Sequence, residues 1–318
     1  MALISLIILI VSLAVLSKSA SIAVDNASKI ANYFRISSLA VGFLLISLST
    51  TLPELSVSVI SSISGDGALA AGNAFGSVIA NILLVLGLGA FFYSFKISNE
   101  NSKDIALVLL ITALVSLYVM FITSVRKDAL GVFEGAVLLV SYLIYIFYIF
   151  KSKKTDGTEK VYVEKKEVSP AFLYFLISII IVLVSSGFVV SSAIEITEIF
   201  NLTEGFVGAT IIAIGTSLPE ASICLQAIRK KRYGLALGNA IGASVANLTL
   251  VLGIAAIINP ISLIMPIFVA TLLFAILACI LLLYIAAVNK KLGRIGGLGF
   301  IAIYIIYIAS IFYLQFLR

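Results

Sequence analysis

The chain is predicted to be an all-α integral membrane protein of ten transmembrane helices in two inverted five-helix repeats, with the N and C termini outside. Three observations predict this. Of the 318 residues, 62% are hydrophobic and 11% charged, and the mean hydropathy is +1.22, a balance that water-soluble domains of this size do not have. Apolar runs of roughly 20 residues, enough to cross a hydrocarbon core about 30 Å thick as helix, recur along the chain. Val41 to Phe92 and Val207 to Ile258 align without a gap at an offset of 166, with 21 of 52 positions identical, so the chain is internally duplicated.

The runs fall at about 2–18, 38–62, 68–93, 105–123, 129–150, 171–189, 205–228, 234–258, 261–288 and 295–317. They lack period-2 alternation, and every backbone polar group must be bonded internally in lipid, so helices are expected and not a barrel. The first run has no basic residue before Lys18, unlike a cleaved signal peptide. Ser19 to Ile36 and Ser191 to Leu202 follow apolar spans and carry scattered charges; they are expected as helix extensions or interfacial turns. Ser37 and Thr203 stand just ahead of the next spans, where a hydroxyl can cap exposed amides. Lys151 to Pro170 holds six lysines and four acids and is expected as a plain cytoplasmic linker. It divides a first five-helix repeat, 1–150, with its duplicated part at about 37–92, from a second, 171–318, with its duplicated part at about 203–258. Five is odd, so the second copy enters the membrane in the opposite sense.

Lysines and arginines fix the orientation. Eighteen of 21 lie in one set of alternate connections, leaving Arg126, Lys127 and Arg318 for the other. The positive-inside rule places the basic set in the cytoplasm of a multi-pass plasma-membrane protein. The net charge of +6 is therefore a topogenic signal and not a nucleic-acid footprint. Histidine is absent, which removes the commonest metal ligand and proton shuttle. Cys224 and Cys279 lie inside apolar runs and are expected as small packing residues. No cofactor is called for, and no oligomer is required.

Chemistry is expected where polar groups interrupt the apolar runs. Each copy carries Leu-Pro-Glu, then Gly-Asn-Ala, then Ala-Asn, which puts Glu54 and Glu220 at mid-span with no Lys or Arg at the same depth. A carboxylate there costs something like 2.5–3.5 kcal/mol on insertion scales, so its partner is a cation from solution, a proton, or a carboxamide such as Asn81 or Asn247. Pro53 and Pro219 break the helix just before the glutamates and free carbonyls at Ser49 and Gly215, which lipid tolerates only beside a cavity or ligand. Hydroxyls cluster at the breaks: Ser47, Ser49, Thr50 and Thr51 in one copy, Thr216 and Ser217 in the other. Such hard oxygens suit Na⁺ or Ca²⁺. Gly72, Gly76 and Ala80, with Gly238, Gly242 and Ala246, form small-residue ridges for close helix approach. One position along, Asn73, Ser77 and Asn81, with Asn239, Ala243 and Asn247, form a polar edge. Glu134, Asp66 and Glu204 are read as interfacial or capping acids. An intramembrane enzyme would need a nucleophile with a base or a metal set, which this pattern lacks; a channel would need no counter-ion.

These motifs resemble the cation/calcium exchanger superfamily, closest to its prokaryotic sodium/calcium exchanger branch, over essentially the whole chain. The resemblance implies a secondary antiporter exchanging Ca²⁺ for Na⁺, with the same fold using H⁺, K⁺ or another divalent cation as the alternative. It implies that Glu54 and Glu220 are the central carboxylate ligands, with Asn81 and Asn247 beside them. Thr50, Thr51, Thr216, Ser217 and Ser77 would add oxygens, and the backbone at Ser47 and Ala213 would help. It also implies alternation between outward- and inward-facing states, largely by sliding the first and sixth spans. The chain departs from the pattern at Ser49-Thr50-Thr51 in place of Gly-Thr-Ser, at Ala243 where a ligand serine is common, with Ser244 adjacent, and at Asn247 where aspartate is frequent. The site then has two formal charges, matching one Ca²⁺ or two Na⁺.

Overall fold

The computed structural model describes residues 2–33, 50–97, 99–126, 130–152, 165–229, 231, 233–261 and 265–316. Among these the chain is mostly helical. In order come α1 (Ala2–Tyr33), α2 (Leu52–Ser64), α3 (Gly67–Tyr93), α4 (Asn99–Arg126), α5 (Val132–Ser152), α6 (Lys165–Phe200), α7 (Glu204–Thr216), α8 (Leu218–Arg229), α9 (Tyr233–Ile258), α10 (Met265–Tyr284) and α11 (Arg294–Leu314). Six helices are long and apolar enough to cross a membrane, and α7 with α8 adds a span bent by 46°. The helices cover the apolar runs of the sequence to within a few residues wherever those runs are described, and α1 and α6 continue well past theirs; positions 38–49 of the second run lie outside the described residues.

At three places the structure adds detail to the expected elements. The molecule is not purely α: Phe95–Lys96 (β1) and Lys291–Leu292 (β2) form a short antiparallel pair, because these connections meet at one end of the bundle and bond each other's backbone. The charged segments after the first and sixth runs are helix extensions, one of the two forms expected, since α1 continues to Tyr33 and α6 to Phe200. Helix order also runs to Ser152 and resumes at Lys165, so 165–170, expected in the tether, are the opening turns of α6. The cause is the same in both places. An apolar run ends where charges begin, whereas the hydrogen-bonded backbone continues into water. At 32 and 36 residues, α1 and α6 extend to about 48 and 54 Å, well beyond the hydrocarbon thickness.

Burial sorts the helices. The spans α3 and α9 are 78% buried, against 28% to 44% for the other long spans, so the two copies of the Gly-Asn-Ala helix form the centre. Helices α1 and α6 pack along each other, burying Leu9, Leu13 and Leu16 of one and Val182, Val189 and Ala193 of the other. Their opposite faces expose Ile4, Ile10, Ile180 and Val184, as lipid contact requires. Two backbone pairings mark the ends of the bundle: β1 with β2 at one, and the bridge between Leu130 and Ile261 at the other. Phe95 and Ile261 are equivalent under the 166-residue offset, yet they sit at opposite ends, with α4 and α10 running between.

Candidate functional site

The site begins at two helix breaks. Thr51 (φ −80°, ψ −1°) and Ser217 (φ −80°, ψ 7°) are equivalent residues in the same bridge conformation, ahead of Pro53 and Pro219. Each proline lacks an amide, so the preceding turn cannot continue as regular helix. The chain restarts one turn on: Leu55 N donates to Thr51 O at 2.9 Å, and Ala221 N to Ser217 O at 3.0 Å. Glu54 and Glu220 thereby fall in the first turns of α2 and α8, where the partial positive charge of a helix N-terminus favours a carboxylate.

A matched pair of carboxamides holds these turns to the central helices. Asn73 Nδ2 donates to Glu54 O at 3.2 Å, and Asn239 Nδ2 donates to Glu220 O at 3.3 Å. Asn73 also donates to Ser58 Oγ at 3.0 Å and accepts from Thr216 Oγ1 at 3.1 Å. Ser217 Oγ donates to Glu54 Oε1 at 3.1 Å, which ties the break of one repeat to the carboxylate of the other. Thr50 faces Glu220, and the two glutamates are near enough for their charges to interact.

What remains is a set of buried polar atoms that protein groups do not satisfy. Glu54, Glu220, Asn81, Asn247 and Ser77 are all 0% exposed. Glu54 Oε2, both Glu220 carboxylate oxygens, Ser77 Oγ and the Oδ1 atoms of Asn81 and Asn247 have no partner at hydrogen-bonding geometry. Such groups inside a membrane protein cost several kcal/mol each unless something binds them. Among the described residues there is no cluster of three or more His, Cys, Asp or Glu. The unsatisfied acceptors are all oxygen, the donor set of a hard cation.

The other candidate residues are placed as follows. Thr50, Thr51, Thr216 and Ser217 are buried at the breaks. The Thr216 hydroxyl also lies 3.1 Å from Ile212 O and 3.4 Å from Ala213 O, and Ala213 O accepts from Ser217 N at 3.2 Å. Ser47 lies outside the described residues. Ala243 is fully buried, and its neighbour Ser244 donates to Ala240 O at 2.8 Å, so that hydroxyl is engaged with its own helix. Thr203 caps α7 as expected, accepting from Phe206 N at 3.2 Å; Ser37 lies outside the described residues. Glu134 caps α5, accepting from Gly131 N at 3.0 Å. Asp66 precedes α3 without a side-chain cap bond; its carboxyl bonds Glu204, and burial raises its pKa above the ordinary value. Cys224 is buried and donates to Ala236 O at 3.3 Å, while Cys279 is buried without a disulfide.

Close helix approach completes the frame. A Cβ at Gly72 would stand 2.5 Å from Gly205 O, and one at Gly76 would stand 2.5 Å from Ala209 O, so the small ridge of α3 is the seat of α7. Three features escaped the sequence reading. The π-helical turns Ala80–Val85 and Asn247–Val251 begin at or beside Asn81 and Asn247, and single π turns often mark functional positions. The π-helical turn Gly208–Ile212 in α7 contains Ala209, whose carbonyl accepts from Tyr307 Oη at 3.3 Å. Ser58, the partner of Asn73, stands one turn beyond Glu54 on the same face, a spacing that the sequence displays.

Known proteins resemble this chain in sequence and in fold. The profile of the family described as "sodium/calcium exchanger protein" matches residues 4–151 and 170–313. The membrane protein MJ0091 of Methanocaldococcus jannaschii is 31% identical over 291 residues, covering 90% of this chain and 91% of that protein. The inner membrane protein YrbG of Escherichia coli is 34% identical over 261 residues, covering 80% and 79%. The sodium/calcium exchanger MaX1 of Methanosarcina acetivorans is 24% identical, covering 98% and 99%. A solved structure of the sodium-calcium exchanger NCX_Mj superposes with a TM-score of 0.68 at 27% identity, covering 98% of this chain and 99% of that one.

Proposed function

Because the chain belongs to the sodium/calcium exchanger protein family, and is thus a multi-pass plasma-membrane cation exchanger and not an enzyme, we propose that it is a secondary antiporter exchanging Ca²⁺ for Na⁺ by alternating access. The observation that carries the reading is a pair of interacting, wholly buried glutamates on helices that pack against the turns bearing Asn81 and Asn247, whose oxygens, like that of Ser77, are buried and unsatisfied. In this reading Glu54 and Glu220 bind the cation directly, and Asn81, Asn247, Ser77, Thr50, Thr51, Thr216, Ser217 and the backbone of Ser47 and Ala213 complete its shell. Asn73 and Asn239 hold the two glutamate turns in place.

The electrostatics then account for coupling. Two ionised carboxylates without a cation would be buried in a low-dielectric interior, at a cost of several kcal/mol per charge. One Ca²⁺ or two Na⁺ neutralise them. The transition between outward- and inward-facing forms is therefore accessible when the site is loaded and disfavoured when it is empty, so flux in one direction requires counter-flux in the other.

The proposed architecture has ten spans in two inverted repeats, 1–150 and 171–318, joined by a cytoplasmic linker at 151–170, with both termini outside. Support comes from the offset-related pairs: Thr51 with Ser217, Asn73 with Asn239, and Phe95 with Ile261 at opposite ends of the bundle. The long helices α1 and α6 are the proposed sliding elements. The test is ⁴⁵Ca²⁺ uptake into proteoliposomes loaded in turn with Na⁺, with K⁺, or with a proton gradient. Uptake driven by Na⁺ loading alone is expected; equal uptake with K⁺ or protons would assign a different counter-ion.

A further inference from the structure

Far from the carboxylates, the end of the molecule where β1 meets β2 carries a charge arrangement that exchange does not use. Lys96 and Lys291 are directly opposite across the antiparallel pair, Lys290 precedes β2 with a φ of 51°, and Arg294 opens α11. Like charges facing each other across two strands destabilise the pairing. Among the described residues none of the four has a carboxylate partner. Arg294 Nε donates to Phe91 O at 3.1 Å, and its guanidinium lies 5.7 Å from the Phe91 ring centroid. That anchors the group and leaves its Nη donors without a described protein partner.

An open pocket of about 450 Å³ lies against two of these cations, Lys291 and Arg294, with Ser94 and Asn289 and the apolar Ile285, Leu292 and Ile295 also in its lining. Gly293, the residue before α11, provides no side-chain cap, so the first amides of a 21-residue helix add partial positive charge at the same place. The rim is apolar. Ile295 is 88% exposed, and Phe92, Tyr93 and Val288 are exposed as well. Two cations and amide donors lie at the pocket, where the Ser94 hydroxyl is engaged with Ala90 O at 3.4 Å, and apolar side chains both line and flank it. A soluble anion uses only the first of these features, whereas a phospholipid uses both.

We propose that this pocket binds the phosphodiester headgroup of an anionic phospholipid, with Lys291 and Arg294 contacting the phosphate and the acyl chains lying along Ile295 and Phe92. The lipid offsets the repulsion between Lys96 and Lys291 and so fastens the connection between α3 and α4 to that between α10 and α11. A general attraction of basic loops to an acidic leaflet would be shared by Lys231, which is exposed in another connection; the pocket predicts a difference between the two.

The test uses the full chain purified in detergent, with phosphatidylglycerol and phosphatidylcholine offered in equal amounts and retained lipid counted by native mass spectrometry. Preferential retention of phosphatidylglycerol is expected. Lys291→Gln should lower it roughly five-fold, the ratio equivalent to about 1 kcal/mol per basic residue near an anionic surface, and Lys231→Gln should leave it unchanged. A second readout guards against misfolding. Without lipid, Lys291→Gln should melt no lower than the parent, because a repulsion is removed, while phosphatidylglycerol should raise the melting temperature of the parent and not of the variant. Equal retention of both lipids, unchanged retention by Lys291→Gln, an equal loss in Lys231→Gln, or displacement of the lipid by millimolar inorganic phosphate would each overturn the proposal.

Discussion

Asn73 and Asn81 stand eight residues apart on one helix and look interchangeable in sequence, yet the fold uses them differently. Asn73 makes bonds to Glu54 O, Ser58 and Thr216, while both polar atoms of Asn81 are left without a partner. The first is suited to positioning a carboxylate turn and the second to meeting a ligand. Asn73→Ala should therefore lower stability in detergent by roughly 2–3 kcal/mol, since it strands buried groups that it now satisfies. Asn81→Ala should melt close to the parent while losing cation affinity. Thermal melts read beside Ca²⁺ binding check this, and equal melting of the two variants would refute the division. The glutamates were legible from sequence because an acid without a buried base inside an apolar run has few uses. The division between the asparagines was not, because it depends on Ser58 and Thr216 arriving from other helices.

Among elements, the helix breaks at Pro53 and Pro219 follow from the missing proline amide, and the small-residue ridge of α3 follows from its four-residue spacing. The π-helical turns at Ala80–Val85 and Asn247–Val251 do not, because neither segment contains a proline or another local breaker and the extra residue is absorbed by tertiary packing. The short strand pair was missed for a related reason: two-residue strands carry no periodic signal. Close packing gives a sharp test of the ridge. In Gly76→Leu even the Cβ would stand 2.5 Å from Ala209 O, an overlap with backbone that costs about 3 kcal/mol or more. The variant should unfold at lower temperature and lose exchange. Gly299→Ala, on the exposed side of α11 with nothing within 4 Å, should match the parent in both measurements. Comparable losses in the two variants would refute the α3 and α7 contact as the packing constraint.

For the whole molecule, duplication and hydropathy made a mostly helical chain with several membrane spans readable, whereas which loops bond each other at each end depends on backbone pairings between residues far apart in sequence. Charge counting across the full cycle yields a further prediction. Two carboxylates, a buried alanine at 243 and a neighbouring Ser244 hydroxyl already bonded to Ala240 O favour two Na⁺ per Ca²⁺, an electroneutral cycle. Clamping proteoliposomes with K⁺ and valinomycin should leave Ca²⁺ flux unchanged over a step of roughly 100 mV, which is worth about 2.3 kcal/mol for each net charge moved. Ala243→Ser should introduce voltage dependence by restoring an oxygen for a third Na⁺. A parent flux that follows the potential would refute the two-Na⁺ cycle. All of this rests on one shared cluster serving both ions, and equilibrium ⁴⁵Ca²⁺ binding to the purified protein tests it most directly. The account predicts a single Ca²⁺ per chain, displaced competitively by Na⁺ and lost in both Glu54→Gln and Glu220→Gln with folding intact. Ca²⁺ binding that survives in both variants, or that Na⁺ does not displace, would contradict it.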